Sequence, residues 1–254
     1  MKIRLSIYFL TVALVISLAS CRGNGDTDAG LELTDTSSGT LLDSSEDLGQ
    51  EYIDSLIFVG ESTTYHLKSR GVLRGGTSTE QVWSPRSGTM MLDMSTKNVR
   101  IVYPKTGELL TIAEAAAKSK PKYIVFTFGL NGAVQNINKG AEYFKSCYLS
   151  LINSVRKSSP DTKIILQSAF PIAENMDMSN YSISLRTLNE YIDRINKWSF
   201  ELAEREGLHY LDTASALKNS EGFLRYEYQN GDGHHLTTDA YLKILEYIRT
   251  HGYK

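Results

Sequence analysis

Phe58-Val59-Gly60-Glu61-Ser62-Thr63-Thr64-Tyr65 is the stretch on which the reading of this chain turns. The residues before the glycine, Ser55 to Val59, have the length and bulk of a buried strand. Gly60 stops that run, and Thr63 to Val72 reads as a short helix. A strand that breaks sharply into a helix lifts the side chain at the break out of the sheet. The first helical turn also has backbone N–H groups with no partner inside the helix. Ser62 therefore stands where a nucleophile stands.

Two distant stretches carry complementary chemistry. Tyr123 to Phe128 is a second buried-strand run and leads into Gly129-Leu130-Asn131-Gly132. Near the C-terminus lies Gly231-Asp232-Gly233-His234-His235-Leu236-Thr237. Together the three stretches offer a hydroxyl, an amide, a carboxylate and an imidazole beside regular elements. A serine hydroxyl needs a base to take its proton, and a carboxylate next to the base orients the ring and stabilises its charged form.

This set, in this chain order, resembles the SGNH hydrolases, also called GDSL esterases or lipases. The resemblance covers most of the chain after about residue 51. Two positions depart from the family pattern: Glu61 replaces the usual Asp before the serine, and Gly132 replaces the Asp after Asn131. The resemblance implies Ser62 as nucleophile, His235 as general base and Asp232 as its orienting acid. The family histidine stands three places after the aspartate, which selects His235 over its neighbour His234. It also implies an oxyanion hole built from the Ser62 backbone N–H, the Asn131 side-chain amide and the N–H of a glycine after the second strand. Gly88 is the expected glycine and Gly76 the second choice, while both read equally well as plain turn glycines. The implied reaction is ester hydrolysis through an acyl-Ser62 intermediate, on a short acyl group, acetyl foremost, carried by a carbohydrate. Acyl transfer to a wall or capsule sugar uses the same residues. A glycan-binding protein without catalysis is the reading from another class.

The chain has 254 residues, 41% hydrophobic, with a formal net charge of −2. That suits one globular domain with a substantial core. Near-neutral charge without a Lys/Arg-rich block argues against nucleic acid as a partner. No cofactor is implied. Asp232, His234 and His235 match no metal-site spacing with other His or Cys, so no metal is expected.

Lys2 and Arg4 precede an apolar run from Leu5 to Leu18, a secretory signal pattern. The run ends Leu18-Ala19-Ser20-Cys21, which resembles the cleavage box of a bacterial lipoprotein. This implies a signal peptide over 1–20, lipid on Cys21, and a protein held on the outer side of the cell membrane. Residues 21–50 are poor in pattern and hydrophobicity and read as a solvated tether, with the catalytic domain over 51–254. Cys147 lies in a helical pattern and reads as a buried, inert thiol. Trp83 suits the core more than a sugar site. His66, one turn after Ser62, stands either near the pocket mouth or on the helix surface.

Strands and helices alternate through the rest. Residues 98–111 read as a β-hairpin inserted on the frame. Ile112–Ser119, Lys139–Lys157 and Ser184–Glu206 read as helices, the last closed by Gly207, with a final helix capped by Thr237. Alternation of this kind gives a three-layer α/β/α fold with a mostly parallel central sheet, and sites beyond the carboxyl ends of its strands.

Overall fold

The structure is a computed structural model and describes residues 39–253. In chain order the elements are α1 (Gly49–Asp54), β1 (Leu56–Gly60), α2 (Ser62–Ser69), β2 (Val82–Trp83), β3 (Arg100–Val102), β4 (Leu109–Thr111), α3 (Ile112–Ser119), β5 (Tyr123–Thr127), α4 (Ala133–Lys139), α5 (Ala141–Ser158), β6 (Lys163–Gln167), α6 (Leu185–Glu206), β7 (His209–Leu211) and α7 (Thr238–Thr250).

Five strands form one sheet in the order β2-β1-β5-β6-β7, every pair parallel. The apolar runs are continuous because both faces of the sheet are covered. Phe58, Val125 and Ile165 pack into one core with Ile53 of α1, Leu67 of α2 and Tyr241, Ile244 and Ile248 of α7. Their neighbours Val59, Phe126 and Leu166 pack into a second core with Ala115 of α3, Tyr148 and Leu151 of α5, and Ile192 and Ile195 of α6. The result is the expected three-layer α/β/α frame. β3 and β4 pair antiparallel as a separate hairpin at the expected place. Trp83 is buried in the second core, and so is Cys147.

Local chemistry explains the helix boundaries. Thr111 and Glu114 form a reciprocal capping box at the start of α3. Ser184 and Thr237 cap α6 and α7 through their side chains, and Gly207 ends α6 in the left-handed region. The single helix expected from Lys139 is corrected. Gly140, with φ of 86°, separates α5 from the additional helix α4.

The tether expected to reach residue 50 is also corrected. Tyr210 N–H donates to the Thr40 carbonyl at 2.7 Å, and Leu42 N–H donates to the Tyr210 carbonyl at 2.9 Å. This segment runs parallel beside β7 and satisfies backbone groups that an open edge leaves unpaired. Leu42 is buried in the core and α1 follows directly. The folded unit therefore begins by residue 40. Residues 1–38, which hold the expected signal peptide and Cys21, lie outside the described residues, as does residue 254.

Candidate active site

The site lies at the carboxyl edge of the sheet. β1 ends at Gly60, whose Cα faces the Thr127 carbonyl of β5 and the Thr64 hydroxyl. An added Cβ would stand 2.3 Å from that carbonyl, so only glycine lets the chain leave the sheet this tightly. Ser62 opens α2, and its N–H and that of Thr63 have no intrahelical acceptor.

Glu61 explains why the turn holds its shape. Its side chain is buried and does not cap its own helix. Its carboxylate crosses to the loop after β5, accepting from the N–H groups of Gly129 at 2.9 Å, Leu130 at 3.1 Å and Asn131 at 3.0 Å. Burial pushes this carboxyl up to about 7, although the three N–H donors pull the other way. Gly132, the other departure from the family pattern, has φ of 73° and opens α4. A Cβ there would come within 2.4 Å of the Met91 sulfur. Glu61 thus joins the serine turn to the Asn131 loop, and Gly132 lets that loop pack against Met91 of the loop after β2.

The loop before α7 brings the other partners. Ser62 Oγ lies 3.0 Å from His235 Nε2, and His235 Nδ1 lies 2.7 Å from Asp232 Oδ2. Asp232 Oδ1 accepts the N–H groups of His234 at 2.9 Å and His235 at 2.8 Å. Partial burial raises the Asp232 carboxyl, but those donors and the His235 ring bring it down to about 2. With its amide nitrogen facing Asp232, Asn230 donates to both carboxylate oxygens, at 3.0 and 3.2 Å, and its oxygen accepts from Arg70 at 3.2 Å. The loop is clamped from behind by Ala173, whose N–H donates to the Gly233 carbonyl at 2.7 Å. Gly233 sits so close to Met176 that an added Cβ would stand 2.5 Å from its Cα.

Two further imidazoles flank the base. The His66 ring centroid is 4.6 Å from that of His235 and the His234 centroid is 4.1 Å from it, each tilted by 44°. His66 therefore lies inside the site, not on an open helix face. Its Nδ1 is buried without a partner among the described residues, and burial followed by the nearby His235 lowers its basicity. Asp232, His234 and His235 offer ligand atoms within 4.8 Å of one another. A metal bound through all three would compete for the Asp232 and His235 atoms that hold the base in line.

The glycine expected in the oxyanion hole is corrected. Gly88 N–H donates to the Pro85 carbonyl at 2.9 Å, and Gly76 N–H donates to the Leu73 carbonyl at 2.9 Å. Neither is free to meet an oxyanion, because each closes its own turn. Asn131 does reach this edge. Its side-chain amide donates to the Thr89 hydroxyl at 3.0 Å and the Met90 carbonyl at 3.2 Å, tying it to the loop after β2. Sequence reasoning missed the bridging work of Glu61, the Arg70–Asn230 support and the Ala173–Met176 clamp. The acid beside the serine was a visible signal for the first; the others join residues with no motif between them.

A parallel α/β/α frame carrying a hydroxyl, an imidazole and a carboxylate in line at its carboxyl edge has the form of an acyl hydrolase. The sequence profile of the GDSL-like lipase/acylhydrolase family matches residues 58–243. The chain belongs to that family, and so to the carboxylic ester hydrolases. Among solved structures it is similar to a proposed platelet activating factor from Streptococcus pneumonia. That likeness has 17% identity, 77% of this chain and 82% of that chain covered, and a TM-score of 0.50. A proposed lipolytic protein of the G-D-S-L family from Desulfitobacterium hafniense is similar at 14% identity, with 76% and 97% covered and a TM-score of 0.50. A proposed acylhydrolase from Bacteroides fragilis is similar at 16% identity, with 76% and 84% covered and a TM-score of 0.49. At these identities the likeness to the first two is one of fold alone. No curated protein sequence matches the chain.

Proposed function

We propose that the protein is a serine esterase that acts outside the cytoplasm on short acyl esters, acetyl foremost, of carbohydrate. The observation that carries the reading is the unbroken line from Ser62 through His235 to Asp232. In it, His235 Nε2 takes the Ser62 proton as Oγ attacks the ester carbonyl. Asp232 holds the ring by Nδ1 and stabilises the imidazolium. The same proton then passes to the departing alcohol, leaving acyl-Ser62. Water, deprotonated by His235, releases the acid and frees the serine.

The tetrahedral oxyanion takes the Ser62 N–H, a first-turn donor of α2 with no acceptor among the described residues. It also takes the Asn131 amide, turned from Thr89 toward the substrate. Loss of one such donor costs about 3 kcal/mol of barrier. The placement outside the cytoplasm rests on the signal-like run from Leu5 to Leu18 and on Cys21 as lipid-bearing residue. A glycan-binding role without catalysis fits poorly with a serine already in hydrogen-bond reach of its base.

A fluorophosphonate probe with peptide mapping tests the reading. The label is expected on Ser62. Ser62→Ala and His235→Ala are each expected to abolish hydrolysis of a short aryl ester while thermal melting stays near that of the parent. Undiminished turnover in Ser62→Ala overturns the assignment.

A further inference from the structure

Beside the acid of the line, an open cleft of about 530 Å³ is lined by the loop after β6 and the loop that carries Asp232 and His234. Its volume lies in the range of small-molecule sites. We infer that this cleft is the subsite for the alcohol part of the substrate and that it takes a neutral saccharide. The inference rests on the esterase reading above and adds where the sugar sits and what holds it.

Position comes first. His234 and Asp232 form one wall of the cleft, and the His235 ring, tilted against His234, lies within 3.0 Å of Ser62 Oγ. In the inferred path, an alcohol leaving the acyl carbon passes over the His234 side of the base into this cleft. His235 is also the group that returns the proton to it.

The lining then selects the class of ligand. Asn175, Asn180 and Tyr181 face the cleft, and neither their side-chain amides nor the Tyr181 hydroxyl has a hydrogen-bond partner among the described residues. Planar amides donate and accept at once, as vicinal hydroxyls require. Tyr181 is 40% exposed, and its ring offers an apolar plate with a polar tip, suited to the C–H face of a pyranose or furanose ring. The two carboxylates of the lining, Asp177 and Asp232, face no Lys or Arg there, which disfavours phosphate, sulfate and uronate groups. Met176 supplies the only aliphatic hydrophobic side chain of the lining, too little to hold a long acyl chain.

The cleft is also built to keep its shape. Asp177 accepts from the Ser179 N–H at 2.9 Å and its hydroxyl at 3.0 Å. The Ala173 N–H and the Met176 backbone fasten the same loop to Gly233. The saccharide thus meets a surface already organised, which limits the ordering cost of binding.

Two measurements test this on the full chain. The first is calorimetric binding of xylotriose, cellotriose and chitotriose, which needs no turnover. At least one is expected to bind with a Kd below about 10 mM, and Tyr181→Ala and Asn180→Ala are each expected to weaken it about tenfold. The second is the ratio of kcat/KM for the acetylated form of the bound sugar to kcat/KM for an aryl acetate. That ratio is expected to fall about tenfold in both variants through KM, with Tyr181→Phe keeping most of it. Binding by none of the three sugars, or a ratio and Kd unmoved by both variants, overturns the subsite. Sugar binding that depends on Tyr181, without turnover of either ester, upholds saccharide binding in the cleft but overturns the esterase reading and with it the cleft's role as alcohol subsite.

Discussion

Glu61 Oε2 accepts the backbone N–H of Asn131 at 3.0 Å, across 70 residues of chain. One carboxylate therefore sets the distance between the serine turn and the loop that carries the candidate oxyanion amide. The residue that looks like a lapse from the family pattern is a strut between two parts of the site.

Replacing Glu61 tests the strut. Glu61→Ala leaves the buried N–H of Gly129 without an acceptor, at about 1–3 kcal/mol, and with it the half-buried N–H groups of Leu130 and Asn131. A drop in melting temperature together with a fall in kcat is expected, and Glu61→Gln should retain more of both. Unchanged stability in Glu61→Ala contradicts the strut.

The same group makes stability depend on pH. In the folded state its carboxyl is raised to about 7 from an ordinary value of 4.5. Between those values the folded chain holds a proton that the unfolded chain releases. The contribution of Glu61 therefore declines as pH rises through that window and is lowest above 7. Urea unfolding of parent and Glu61→Gln is expected to show the difference between them shrinking with rising pH, by up to roughly 1.4 kcal/mol per pH unit. A constant difference from pH 5 to 8 counts against it.

Asp232→Asn should leave the fold intact and reduce kcat on the order of 10⁴-fold, because an amide can hold the imidazole in the wrong tautomer. The parent carboxyl is held at about 2, below its unfolded value, so its stabilising contribution is present above that unfolded value and lost as pH falls toward 2. The variant should lack this acid-side loss in an unfolding titration. Full activity in the variant would mean that the base is oriented by other groups.

Restoring the family residue at 132 should harm the protein. Gly132→Asp places a side chain at φ of 73° and drives its Cβ toward the Met91 sulfur. Strain in the left-handed region alone costs about 1–2 kcal/mol. Met91→Ala in the same chain is expected to recover only the steric part. A melting temperature for Gly132→Asp equal to the parent's refutes this account.

Cys147 is 1% exposed, and burial pushes its thiol up. In a Cys21→Ser chain it is expected to resist a disulfide reagent while native and to react fully in guanidinium. Rapid native labelling means that α5 opens far more readily than its packing suggests.

Local pattern carried a long way in this chain. Continuous apolar runs at Leu56–Val59, Tyr123–Phe126 and Ile164–Leu166 announced strands covered on both faces. Gly60-Glu61-Ser62 and Asp232-Gly233-His234-His235 announced a nucleophile and its base, because strand length, the glycine break and a three-residue spacing are properties of neighbours along the polymer. The sequence therefore determined the layered α/β frame and which serine, histidine and aspartate to bring together.

Only the tertiary structure decided how they meet and what surrounds them. Whether a backbone N–H is free depends on its acceptor: Gly88 closes a turn on Pro85 and is removed from the oxyanion hole. Thr40 and Leu42 look like tether until β7 presents an edge whose unpaired groups they satisfy. The Glu61 bridge, the His66 and His234 flanks and the Asn175–Tyr181 wall depend on contacts between residues far apart in the chain. Such contacts leave no local periodicity, because they are set by how the layers pack and not by neighbours in sequence.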